Sequence, residues 1–367
     1  MDFYYFVIFL VFVFYVCSNT LGGKRHDLFI ISTFLLLIII SGLRGYEVGG
    51  DLQHYLRNYS IIGRKSLNEI FCDREKYGCI FSLIYKIAYS INTSPTCLLF
   101  FTSIINLSFV AFFIKRFSCN PLLSIYIYIT MAFYTNTFNS VRSSMTLGVG
   151  LFIMKYIIER KFWRFFIGYL IAIEIHQTFL PFILLYYIYT KRLTFKYIFF
   201  SISICFVISQ VLSSHMSIIA TLAYMYDPGA YENIGESYSG GYSLFALLSG
   251  MTMGFYILLK KKKVLTKENQ LFIHCLVIAS CVQAFATYYT VLMRVAMFFY
   301  IVVIILFPAA IKSIKTPLLK KSAYIITVLL FAIYFQMFVM TPSPAYNNSN
   351  YQNTIPYKTF WEKYFLI

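Results

Sequence analysis

Charge is scarce in this chain. Of its 367 residues, 12% are charged and 59% hydrophobic, and a soluble domain carries roughly twice that charge fraction. Apolar runs of about 14 to 20 residues recur from end to end, which excludes a sizeable soluble domain. Other absences narrow the chemistry. There is no C-x-x-C pair and no histidine-rich tract, so no metal is expected. There is no glycine-rich phosphate loop, no G-x-S-x-G elbow and no H-E-x-x-H, so nucleotide-dependent chemistry has no visible site. No internal repeat or low-complexity segment is visible. The opening run, Met1 to Tyr4 and onward, lacks a basic leader and no Ala-x-Ala site follows it. It is expected to be a retained span.

What is present is a formal net charge of +17 and a pI near 9.4. So basic a balance usually points to nucleic acid. Here the lysines and arginines sit in short loops between apolar runs, the pattern of a topology signal, and no nucleic-acid partner is expected. The clusters are Lys24 with Arg25, Lys115 with Arg116, Arg160 with Lys161 and Arg164, Lys191 with Arg192 and Lys196, Lys260 to Lys267, and Lys312 to Lys321. If all are cytoplasmic, the number of passes between them must be even. From Lys267 to Lys312 there is room for about 66 Å of helix. That is two passes, with a turn near Thr287 to Thr290. Runs 27–43 and 97–114 make two spans, and the shorter run 77–91 must then be re-entrant or interfacial.

Between Arg164 and Lys191 one helix would be about 39 Å long. Parity asks for two short ones, 163–176 and 178–190, each below the ~30 Å of a hydrocarbon core. Their apex would hold Glu174, His176 and Gln177, with Pro181 just beyond. Such a break is tolerated only in protein or beside water, so a wet, outward-opening crevice is expected there. The whole reads as an all-α polytopic membrane protein of about 12 spans, a single integral membrane domain over 1–367. Its external parts would be a loop with a re-entrant or interfacial helix at 44–96, a loop at 214–241 and a tail at 341–367. Cys72 and Cys79 share the first of these, where an oxidising compartment could pair them if a turn brings them together.

A charge in a span costs about 2.5–3.5 kcal/mol on insertion scales, so each asks for a reason. Arg142 opens span 141–158, Arg294 lies about one turn inside its helix, and Arg44 closes span 27–43. All three depart from the inside bias of the other basic residues. Snorkelling to headgroups is the bland explanation. The functional one is a phosphate clamp, because guanidinium grips phosphate through a planar fork and stays charged when partly desolvated. Such a clamp would also stabilise a departing diphosphate. His176 is a candidate base or positioning group, or a histidine that satisfies a backbone carbonyl. Asp51 is a candidate base or arginine partner, as is Glu47. His54, Tyr46 and Tyr55 would line a sugar site, with Glu174 and Gln177 lining the crevice. The triplet from Asp73 to Glu75 is a D-x-E of the kind that can hold a divalent cation, but such a triplet arises easily by chance.

Several short motifs share a meaning. Arg44 is followed by Val48, Gly49, Asp51 and Tyr55. Val141 precedes Arg142, and Glu174, Ile175 and His176 are consecutive. Arg294 leads through Phe298, Phe299 and Tyr300 to Pro308, and Pro356, Tyr357 and Lys358 lie in the tail. In order and spacing this set resembles the EpsG-like group of Wzy-type O-antigen polymerases over nearly the whole chain. Two departures stand out: Gly49, Gly50, Asp51 where that group usually has Gly-Thr-Asp, and Arg142 with Ser143 where it has Arg-Gln. The resemblance implies a GT-C-like fold in the bacterial inner membrane, with the active site facing the periplasm. It implies inverting glycosyl transfer from one undecaprenyl-diphosphate-linked oligosaccharide to another, without cofactor, nucleotide sugar or metal, and a chain-length regulator as partner. Arg44, Asp51, Arg142, His176 and Arg294 are the positions that match. An O-antigen ligase is the nearest rival, a lipid-linked oligosaccharide flippase the rival of another class, and a membrane acyltransferase a third.

Overall fold

The computed structural model describes residues 2–20, 25–72, 78–213, 241–262, 264–286, 291–342, 349–350 and 352–361, and these are almost entirely helical. The expected loop at 214–241, the turn at 287–290 and the Asp73 to Glu75 triplet fall outside them, apart from Gly241, which opens a helix. In chain order the helices are α1 (Asp2–Thr20), α2 (Arg25–Leu43), α3 (Leu52–Arg64), α4 (Leu67–Cys72), α5 (Cys79–Ile91), α6 (Pro95–Phe117), α7 (Pro121–Thr130) and α8 (Phe133–Asn139). There follow α9 (Val141–Ile158), α10 (Phe162–Ile175), a 3₁₀ segment (Gln177–Ile183), α11 (Leu184–Ile188) and α12 (Phe195–Ser213). The last are α13 (Gly241–Lys261), α14 (Lys267–Ala286), α15 (Val291–Tyr300), α16 (Val303–Ser313) and α17 (Pro317–Tyr334), which ends in a π turn (Phe335–Val339).

Three starts share one device. Ser94, Asn120 and Thr316 each stand before a proline at the first helical position of α6, α7 and α17, where the missing N–H costs nothing and φ is already helical. Asn120 Oδ1 also accepts from Leu123 N at 3.2 Å. Lys115 and Arg116 sit in the last turn of α6, the end that favours cations.

Among the described residues nine helical stretches are long and apolar enough to cross a membrane. This is a multi-pass, all-helical membrane protein. About a dozen passes were expected; beside the nine long stretches the described residues hold shorter apolar helices at Cys79–Ile91, Pro121–Thr130 and Gln177–Ile188. The stretch 121–139 is divided at Ala132, which takes a left-handed φ of 64°. The stretch 162–188 is divided at His176, between the end of α10 and the start of the 3₁₀ segment, where a break between two short helices was expected. Helix α5, in the run expected to be re-entrant or interfacial, has 13 residues, about 20 Å.

The chain forms two compact units. The first takes Met1–Tyr156, Phe162–Gln177 and Lys315–Ile367. In it α2 packs on α6 so closely that a Cβ on Gly42 would lie 2.5 Å from the Phe100 ring, the small-residue contact that brings apolar helices together in lipid. The Ser41 and Ser103 hydroxyls share a 2.7 Å hydrogen bond at the same contact. The second unit takes Ile157–Lys161 and Thr178–Ile314. Its centre is α14 with α15 and α16: the spans 267–286 and 292–313 are each 78% buried, against 17% for α12 and 28% for α13.

Candidate functional site

Several helix ends of the first unit meet around the segment 44–51. Asp27 and Lys115, paired at 2.9 Å, mark the opposite end of α2 and α6. Tyr46 Oη is 3.0 Å from Thr96 Oγ1 at the start of α6. Gly49 has φ +114°, and a Cβ there would stand 2.3 Å from the Phe138 carbonyl oxygen, so only glycine fits. Asp51 N donates to Asn139 Oδ1 at 2.8 Å. The Gly49–Asp51 bend is thereby fastened to the end of α8, three residues before Arg142.

The tail fastens the other side. Gly45 N donates to Lys358 O at 2.7 Å, Gly49 N to Asn353 O at 2.8 Å and Gly50 N to Gln352 O at 3.3 Å. Phe360 N donates to Leu43 O at 3.1 Å, and Arg44 and Thr359 form an isolated antiparallel bridge. Asn353 Nδ2 donates to Glu47 O at 3.0 Å, and Lys358 Nζ pairs with Glu47 Oε2 at 3.2 Å. Asn350, buried, holds the tail's own turn, donating to Val339 O and receiving Thr354 N, both at 2.8 Å.

The arginines occupy different environments. Arg44 is 1% exposed. Its Nη1 donates to Ser41 O and, at 3.0 Å, to Ser41 Oγ. Its guanidinium lies 5.0 Å from the centre of the Phe138 ring. Nε and Nη2, the edge that forms a bidentate fork, have no hydrogen-bond acceptor. Burial pushes its pKa down to about 10, so it stays cationic at neutral pH. Arg142 is half-buried in the first turn of α9. Its Nε donates to Ile175 O at 2.9 Å, and its guanidinium is 5.8 Å from the Phe81 ring centre. Phe81 also meets the Tyr55 ring edge-on at 5.9 Å.

The end of α10 is held from a third side. Gly78, at φ +71°, lies so close that a Cβ would be 2.1 Å from the Glu174 carbonyl oxygen. Thus Gly78 lies against the Glu174 carbonyl, Ile175 O accepts from Arg142, and half-buried His176 follows at the break. Glu174 and Gln177 are exposed, as are Glu47 and His54, while Asp51 and Tyr55 are half-buried. Arg294 belongs to the second unit, exposed in the first turn of α15. Cys79 carries a free thiol, and the Cys72 side chain lies outside the described residues.

Sequence reasoning missed Asn139, Phe81, Gly78 and Asn350. Asn139 stood beside Arg142, but nothing local named Asp51 as its partner. Replacing Asn139 by alanine leaves the Asp51 amide without its acceptor and is expected to cost about 1 kcal/mol, read as a lower unfolding temperature in detergent. Removing the Lys358 side chain, by contrast, breaks a pair whose members are 48% and 49% exposed. It is expected to change the same midpoint by no more than about 0.5 kcal/mol's worth.

The structure is thus a helical multi-pass membrane protein in which the 44–51 segment, the end of α8, the start of α9 and the end of α10 are tied together by short polar contacts. The chain belongs to the EpsG family, whose model matches residues 27–359. That stretch runs from the first turn of α2 to the residue bridged with Arg44. No curated protein and no solved structure matches the chain. Membership suggests a polysaccharide polymerase-like membrane protein of glycosyltransferase type.

Proposed function

We propose that this protein is an O-antigen-type polymerase that joins undecaprenyl-diphosphate-linked oligosaccharide repeat units at the periplasmic face of the bacterial inner membrane. The observation that carries the reading is the Arg142 Nε bond to Ile175 O at the α10 break. It anchors a guanidinium to the residue that precedes His176 in the chain, while Asn139, three residues before Arg142, takes the Asp51 amide. An acceptor hydroxyl oxygen bonds to the anomeric carbon of the donor sugar. The bond from that carbon to the diphosphate oxygen breaks, and the hydroxyl proton passes to His176 or Asp51. The growing charge on undecaprenyl diphosphate is met by Arg142, with Arg44 assisting. Attack from the face opposite the leaving diphosphate inverts the anomeric centre, and the arginines take the part that a metal would otherwise play. Glu47, His54, Tyr55, Glu174 and Gln177 face the sugars. Arg294→Ala tests whether the exposed arginine of the second unit takes part.

The periplasmic side is supported by charge. In the first unit Lys115 and Arg116 close α6, and Lys320 and Lys321 lie in the first turns of α17, at helix ends opposite those that meet the 44–51 segment. A GT-C-like arrangement and a chain-length regulator as partner belong to the same reading. Deleting the gene is expected to leave single repeat units on the lipid carrier. Finished polymer stranded on the carrier would make the protein a ligase instead, and repeat units trapped on the cytoplasmic side would make it a flippase.

A further inference from the structure

The first unit holds a groove of about 430 Å³ between α1, α7 and α17, within the roughly 300–1,000 Å³ of ligand pockets. Its walls include Tyr5, Ile8, Phe12, Tyr126, Ile129 and Val328. The hydroxyls of two of its tyrosines are already taken: Tyr126 Oη donates to Val328 O at 2.8 Å, and Tyr5 Oη donates to Gln336 Oε1. What is left for an occupant is almost wholly hydrocarbon and aromatic ring, which fits neither a sugar nor a peptide backbone. Two of the three helices lie in candidate spans, and both of those are only 22% buried. The groove therefore opens sideways into lipid.

One end of this groove reaches the scaffold of the polar site. Tyr5 is at its rim, and the preceding residue, Tyr4, is fully buried and donates to Thr354 O at 2.9 Å. Phe3 stacks on Tyr357 with ring centres 4.0 Å apart. Those tail residues belong to the segment that holds Gly45, Gly49 and Gly50, and the same scaffold surrounds the buried Arg44, whose Nε and Nη2 lack an acceptor. An apolar slot along two candidate spans thus runs up to a scaffold that holds a buried guanidinium with two of its nitrogens unbonded.

We infer that this groove seats the isoprenoid chain of a lipid diphosphate, with the diphosphate end toward the 44–51 segment. The inference rests on the proposed polymerase reading for its choice of an isoprenoid over a phospholipid acyl chain. Close packing of the branched isoprenoid against the α1, α7 and α17 side chains, in place of mobile lipid tails, supplies affinity and holds the donor by a part remote from the reacting carbon.

The test uses purified full-length protein in nanodiscs and undecaprenyl diphosphate bearing a photoactivatable group on its chain. Cross-linked peptides are expected within 5–12, 122–129 and 324–328. Unlabelled undecaprenyl diphosphate should displace the label, and a large excess of phosphatidylglycerol should not. Filling the slot with Ile8→Trp, or separately with Val328→Trp, should exclude the chain sterically and raise the KM for a long-chain donor roughly tenfold or more. The KM for a geranyl-diphosphate-linked donor and the kcat of both should stay within about twofold. Labelling confined to other helices, or displaced equally by phosphatidylglycerol, overturns the inference. An unchanged long-chain KM in a folded variant does the same. These results leave the polymerase reading intact. Displaceable labelling of the groove in a protein that forms no polymer would sink that reading while sustaining the lipid-diphosphate seat.

Discussion

Arg142→Ala is expected to abolish the polymer ladder and to leave single repeat units on the lipid carrier. The loss of turnover should be on the order of 10²–10³-fold or more, the size seen when one preorganised donor to developing charge is removed. Arg142 is suited to that role because its position is over-determined. It stands in the first turn of α9, its Nε is committed to Ile175 O, and its guanidinium lies against Phe81. The rest of the planar fork is thereby held in a fixed direction. Arg142→Lys is expected to be nearly as harmful, since an ammonium retains the charge but cannot bond Ile175 O and also present a planar edge to a diphosphate. A lysine variant with half of the wild-type turnover would mean that charge alone matters. Membrane levels of each variant, measured by immunoblot, separate lost chemistry from lost protein.

Gly78→Ala is expected to be the most damaging single substitution for the frame itself. The residue has φ +71°, and its new Cβ would meet the Glu174 carbonyl oxygen at 2.1 Å. Both partners are backbone, so neither can swing aside, and the left-handed φ adds its own cost for any residue with a side chain. A loss of about 2–3 kcal/mol or more is expected, with Ile175 O and the Arg142 bond disturbed in consequence. Gly250→Ala is the control. It lies inside α13, and nothing stands within 4 Å of its added Cβ. That change should be neutral or stabilise by up to about 1 kcal/mol. Unfolding midpoints in detergent check both. Equal behaviour of the two variants would mean that the Gly78 contact is absent from the working protein.

What could be read before the structure was what depends on local pattern. The apolar runs announce the helices, and the short interval between Arg164 and Lys191 announces the break at His176. Other features have no local signature. Ala132 carries neither the proline nor the glycine that usually marks a helix break, so the division of 121–139 stayed hidden. A residue closing a span can face lipid headgroups, water or protein. Nothing near Arg44 in the chain announces that it lies buried under a tail more than 300 residues away, as the Asn353–Glu47 bond shows. That tail was expected as an external segment carrying the Pro356, Tyr357 and Lys358 motif, with no partner named for it. Its amide and carbonyl groups serve instead to set the backbone on either side of Glu47, and pairing over such a distance is invisible to periodicity.

The Arg142 guanidinium, anchored to the end of the broken helix α10, is expected to drive glycosyl transfer from a lipid diphosphate. The most direct measurement reconstitutes purified protein with a synthetic undecaprenyl-diphosphate-linked repeat unit as both donor and acceptor. Wild type is expected to make a ladder of oligomers and to release one undecaprenyl diphosphate for each linkage formed, while Arg142→Ala makes neither. A ladder of undiminished length from Arg142→Ala would contradict the account.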